Sequence, residues 1–130
     1  MKATFTIEGR LPGLNDFYNE ANKHRCRANA MKSKAEEDIG WCIRKDKDFK
    51  NKHFTKPVKI HYEWYEPNKK RDLDNISSFG RKCIQDALVR NGILENDGWK
   101  NIVGFTDTFY IDKEKPRIVV TIIDSEEDNS

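Results

Sequence analysis

The sequence predicts an α+β fold: a mixed or antiparallel sheet of about four strands with two main helices packed on it. Three observations carry this. Four short segments alternate apolar and polar residues at the period of a strand, two longer segments space apolar residues as a helix does, and Gly, Pro and Asn punctuate between them. The order β, loop, α, β, α, β, β is that of helices gathered on one side of a sheet.

Lys2 to Glu8 sets Ala3, Phe5 and Ile7 against Thr4, Thr6 and Glu8, and reads as the first strand. Leu11-Pro12-Gly13 breaks it, and Leu14 to Ala21 is expected to form a short helical turn. Asn22 to Ser33 is polar and cationic without a clear period, and is expected to be a loop. Ser33, with Glu36 three residues on, is a capping-box start for a helix to about Lys50, with Ala35, Ile39, Cys42 and Ile43 inward. Trp41 on its flank and Trp64 in the next strand are expected in the core. Val58 to Tyr65 alternates as the second strand.

Asp74 is expected to cap the second helix. Its apolar stripe is Ile76, Phe79, Gly80, Cys83, Ile84, Ala87 and Leu88, and Asn91-Gly92 stops it. Ser78 and Lys82 lie outside the stripe, one turn apart. Ile102 to Ile111 and Arg117 to Ile123 complete the strands. One domain over residues 1–123 is expected, with a disordered acidic tail over 124–130.

Hydrophobic residues make up 36% of the 130 and charged ones 35%, a core-poor balance that favours burying further surface by oligomerising. No apolar run approaches a membrane span and the first residues lack a signal-peptide core, so no membrane partner and a cytoplasmic location are expected. Cys26, Cys42 and Cys83 are too widely spaced for a disulfide framework. His24 and Cys26 have no second pair to complete a zinc site.

Charge is unevenly placed. The tail holds four acids and no base, which leaves +6 on residues 1–123. Lys23, Arg25, Arg27, Lys32 and Lys34 fall in a stretch without an acid, and Lys69, Lys70 and Arg71 form a second cluster. This suits a polyanion such as DNA, although an ordinary solvated surface has the same composition. Directly after the second cluster, Asp72 and Asp74 lie two residues apart. Two carboxylates on one side repel unless a hard cation such as Mg²⁺ lies between them, its other ligands being water and phosphate. Glu95-Asn96-Asp97 adds acids beyond the helix.

The runs Arg71-Asp72-Leu73-Asp74-Asn75-Ile76, Lys82-Cys83-Ile84-Gln85-Asp86-Ala87-Leu88 and Glu95-Asn96-Asp97 resemble the signature of the RusA family of Holliday junction resolvases. The strand, Pro-Gly break and basic loop before them and the terminal strand pair after them agree. The resemblance implies a homodimeric endodeoxyribonuclease that uses Mg²⁺, with Mn²⁺ as a substitute, to cut four-way junctions by paired nicks in recombination and repair. It also makes a prophage or mobile-element gene plausible. It places the essential carboxylates, which are the metal ligands, on Asp72, Asp74 and Asp97. The family lysine falls on Lys82 counted back from Asp86 but on Ser78 counted forward from Asp74. Four extra helical residues turn the chain by about 400°, so Lys82 keeps nearly the same face about 6 Å further along. It is the expected catalytic lysine, with a simple i,i+4 pair to Asp86 as the alternative.

A helix from Asp74 to Asn91 is about 25 Å long, and six further residues span at most about 20 Å. Asp97 therefore hardly returns to its own Asp74, which raises the expectation that it serves the partner's site. The competing readings are a nuclease acting on other branched DNA, a DNA-binding module with impaired catalysis, and an interaction protein with a charged surface.

Overall fold

The structure is a computed structural model and describes residues 1–124. Strands β1 (Lys2–Glu8), β2 (Val58–Glu66), β3 (Ile102–Ile111) and β4 (Arg117–Asp124) form one sheet in the order β1-β4-β2-β3. Helices α1 (Leu14–Lys23), α2 (Arg25–Lys45) and α3 (Leu73–Arg90) join them, with a single 3-10 turn at Phe49–Asn51. β4 runs antiparallel to β1 and to β2, whereas β2 and β3 are parallel. Parallel neighbours need a crossover, and α3 is that crossover. The α+β class with a mixed four-stranded sheet is therefore as the sequence predicts.

Along β2, the buried Val58, Ile60, Tyr62, Trp64 and Glu66 alternate with more exposed residues, so one face carries the helices. Phe5, Ile7, Val120 and Ile122 extend this face across β1 and β4. Ile39 and Ile43 of α2 pack on it, and every residue of the predicted α3 stripe is buried. The first turn of α1 is fixed from both sides: Asp16 accepts the Gly13 N–H at 2.8 Å, and Asn75 of α3 accepts the Asn15 N–H at 2.8 Å.

Several local expectations are corrected. Residues 22–34 are not a loop: α1 runs to Lys23, only His24 is extended, and α2 starts at Arg25. The stretch contains no Gly or Pro before Gly40 and is rich in Ala, Lys and Arg, which favour helix. Its inward face is built partly from small residues, Ala28 and Ala35, followed by Ile39 and Cys42, which is why a period is hard to see. Ser33 is thus mid-helix rather than a cap, and α2 ends at Lys45, where Asp46 turns extended. Trp41 is on the outer face, 63% exposed, while Trp64 is buried as expected. The N-cap of α3 is Asp72, and Asp74 lies in its first turn. β3 and β4 do not pair with each other, because β2 lies between them. Asp124 closes β4 rather than opening the tail, and the rest of the predicted acidic tail lies outside the described residues. The three cysteines are free, as expected. Among the described residues no helix is long and apolar enough to cross a membrane.

Candidate active site

The start of α3 is set by a buried carboxylate. Glu66, last in β2, points to the helix face, and its side chain is only 6% exposed. Arg71 donates to both its oxygens at 3.0 Å, and Arg10 donates to Oε1 at 2.8 Å. Arg71 also donates to the Leu11 carbonyl at 3.2 Å. Two guanidinium groups on one desolvated carboxylate compensate its burial, and they lock the residue before Asp72. Arg71 thus has a structural task that the sequence reading, which placed it among the DNA contacts, did not foresee.

Asp72 and Asp74 follow, both exposed. Asp72 is the N-cap but makes no side-chain capping bond, and Asp74 accepts from Ser78 Oγ at 2.6 Å. Two exposed carboxylates at a helix N-terminus, beside exposed Lys69 and Lys70, have the donor chemistry of a hard divalent cation that keeps water and phosphate ligands. In that respect the pair fits Mg²⁺.

Asp97 does not join them. The loop after α3 turns at Asn91-Gly92 and buries Ile93 and Leu94. It delivers Asp97 to Lys82, with Oδ2 3.5 Å from Nζ. Lys82 is eight residues beyond Asp74, about 12 Å along the helix. Among the described residues no three His, Cys, Asp or Glu side chains are grouped closely enough to hold one ion. The full set of three aspartates is not assembled within one chain.

Lys82 also pairs with Asp86 at 3.2 Å, as the i,i+4 spacing suggests, and Lys32 of α2 reaches the other Asp86 oxygen at 3.2 Å. The hydrogen bond from Lys82 to Asp86, helped by Asp97, raises the lysine pKa above its usual value despite some desolvation. Burial alone would raise the Asp86 carboxyl, but hydrogen bonds from Lys32 and Lys82 outweigh it and hold it below the usual range. Lys82 is therefore a firm cation.

Between the two acidic ends is a pair that the sequence reading missed. Arg81 of α3 forms an ion pair with Asp107 of β3, which also accepts from the indole N–H of Trp64 at 2.9 Å. The Arg81 guanidinium lies over the Phe105 ring, 4.7 Å from its centroid. A signal was present: Asp107 has the same strand parity as Phe105 and Phe109, which puts it on the helix-bearing face.

Of the predicted DNA contacts, Lys23, Arg25 and Arg27 are exposed around the α1–α2 junction, and Lys69 and Lys70 are exposed before α3. Lys34 is exposed but paired with Asp38 at 3.3 Å, and Lys32 is engaged with Asp86.

A family model described as endodeoxyribonuclease RusA matches residues 12–123. This chain belongs to the RusA endodeoxyribonuclease family. Among curated proteins, no sequence matches significantly. The matched RusA region takes in α1 through nearly all of β4, and with them Asp72, Asp74, Lys82, Asp86 and Asp97.

Proposed function

We propose that this RusA-family chain is a homodimeric, Mg²⁺-dependent endonuclease that resolves four-way DNA junctions by paired phosphodiester cuts, in recombination or repair. The observation that carries the reading is the division of the acids along α3. Asp72 and Asp74 stand at its N-terminal end, and Asp97 is held by Lys82 two turns further on. A pair of antiparallel α3 helices brings the two ends together, so that each site takes Asp72 and Asp74 from one chain and Asp97 from the other. Two such sites related by a two-fold axis suit two symmetric nicks.

In this site Asp72, Asp74 and the partner chain's Asp97 would hold the cation. When bound, Mg²⁺ supplies a Lewis acid for the phosphoryl oxygen and lowers the pKa of attacking water. Lys82 travels with Asp97 and presents its ammonium to phosphate oxygens as negative charge develops on them. Ser78 keeps Asp74 in place through its 2.6 Å hydrogen bond. Lys23, Arg25, Arg27, Lys69 and Lys70 lie exposed to neutralise the DNA backbone, whereas Lys32 and Lys34 reach it only by exchanging Asp86 and Asp38 for phosphate.

The test offers a synthetic junction, a flap and a plain duplex to the protein with Mg²⁺, Mn²⁺ or EDTA. Symmetric, cation-dependent nicks in the junction, lost in Asp74→Asn, are expected. Preferred cutting of the flap would assign the chain to other branched DNA, and tight binding without cutting would make it a DNA-binding module. Mixing Asp74→Asn with Asp97→Asn chains should regain nicking, because one site of each heterodimer is intact.

A further inference from the structure

The helix-bearing side of β3 is left partly bare. Register with β2 puts Phe105, Asp107, Phe109 and Ile111 on that side, yet Phe105 and Ile111 are 49% and 51% exposed. α3 covers β2, and the edge strand β3 projects beyond it as a shelf. The two ends of the shelf differ. At one end Trp99 stands out, 87% exposed, next to Val103 and Phe105. At the other is a cavity of about 370 Å³ lined by Leu73, Ile76, Phe109 and Ile111, beside Lys69 and Asp72.

We propose that Trp99 is a docking knob that seats in this cavity of a second copy of the chain, and that the cavity receives the partner's Trp99 in turn. This inference rests on the dimer proposed above and names the surface that forms it. Three observations choose a second copy as occupant. A knob and a cavity that takes an indole occur on one face, which is the requirement for a self-complementary two-fold contact. Their polar rims can also meet: Asp97 borders the hollow beside Trp99, and Lys69 with the acid Asp72 borders the cavity, so the contact offers Asp97 a cation and sets it beside the carboxylate with which it would share a divalent ion. The third is register. Antiparallel α3 helices that cross near Ser78 set Asp74 opposite the partner's Lys82, since both are four residues from the crossing. The same crossing sets Gln85, which borders the Trp99 hollow, opposite residues 71–73 at the cavity. A single arrangement thus seats the knob and completes the acidic site, while the Arg81–Asp107 pair lies near the axis.

The test is a crosslink. Trp99→Cys and Ile111→Cys are combined in a Cys26→Ser background, which removes the exposed native thiol. Within a chain the two positions are separated by the length of β3, about 30 Å, far beyond disulfide reach. Mild oxidation should give a covalent dimer from the double variant and none from either single variant. Separately, Trp99→Ala should raise the dimer dissociation constant by about thirtyfold or more, with an unchanged circular dichroism spectrum because Trp99 is on the surface. A double variant that sediments as a dimer at the concentration used yet fails to crosslink, or a Trp99→Ala variant that dimerises as well as wild type, would overturn the docking surface and leave the dimer standing. A wild-type monomer at all concentrations would overturn the dimer itself.

Discussion

Lys82 holds Asp97 across the gap between α3 and the loop that follows it, Nζ to Oδ2 3.5 Å. The contact joins a carboxylate from one segment to a cation from another. It also bears on which residue takes the role of the family lysine. Ser78 lies one turn nearer Asp74 but carries a hydroxyl already committed to Asp74 Oδ1.

Lys82→Ala is expected to reduce junction cleavage by about 10²-fold or more, the usual loss when a group that stabilises transition-state charge is removed. Junction affinity should change little, since one exposed cation among many is lost. Ser78→Ala should cost less than about tenfold, because it removes a neutral hydrogen bond to a carboxylate that remains in place. Single-turnover cleavage and equilibrium binding on the same junction separate the two effects. Equal damage from both variants would assign the role to the hydroxyl.

The Lys32–Asp86–Lys82 cluster has a pH signature. The folded Asp86 pKa is lowered, so its contribution to stability is present above the unfolded carboxylate value and is lost as pH falls through the folded one. The folded Lys82 pKa is raised, so its contribution is fully present below the unfolded lysine value and is lost as pH rises through the folded one. The stability gap between wild type and Asp86→Asn should therefore be flat from about pH 5 to pH 10 and shrink at both ends. Lys82 is more than half exposed, so the plateau should be about 1 kcal/mol at most. Urea unfolding of both proteins across this range measures it. A gap that grows on acidification would show that Asp86 is not held ionised by its lysines.

The strands and the core stripe of α3 were legible because alternation and helical spacing are direct consequences of burying one face. β3 was located to the residue, and all seven stripe positions of α3 are buried. α2 was half missed because Ala28 and Ala35 bury little area and leave no strong apolar period. The order of strands was not legible, since nothing local says that β2 inserts between β3 and β4. In the candidate site the acidic positions and Lys82 were visible as a motif. Their pairings were not: Asp86 with Lys32, Asp107 with Arg81 and Glu66 with Arg10 all join segments far apart in the chain. Parity along β2 and β3 was the one unused clue, placing Glu66 and Asp107 among core residues.

Glu66 gives the test of that clue. Glu66→Ala leaves Arg10 and Arg71 without their shared acceptor, with Arg71 only 16% exposed. Removal of one member of a buried ion pair should destabilise the fold by about 3 kcal/mol. Urea denaturation reads this directly. The loss of the Arg71 anchor should also loosen the residue before Asp72, so cleavage by the remaining folded protein should fall. A loss of stability under about 1 kcal/mol would mean that water takes over the acceptor's place.

Gly13 and Asn75 couple the first helix to the acidic motif. Asn75 follows Asp74, and its Oδ1 accepts the Asn15 N–H at 2.8 Å. A Cβ on Gly13 would stand only 2.6 Å from that oxygen and 3.0 Å from the Asn75 carbonyl, and the carbonyl is part of α3 and cannot swing away. Gly13→Ala must therefore shift α1 or the first turn of α3, at a cost of about 1–3 kcal/mol. Asn75→Ala removes the bond without the clash and should cost only about 1 kcal/mol. If the contact positions Asp74, both variants should lower the cleavage rate, and Gly13→Ala should do so more strongly. Junction binding should hold, because Lys69 and Lys70 are untouched. Cleavage measured per folded molecule, at a temperature where both variants are fully native, decides the matter. An unchanged rate in Gly13→Ala would show that α1 yields and α3 stays fixed.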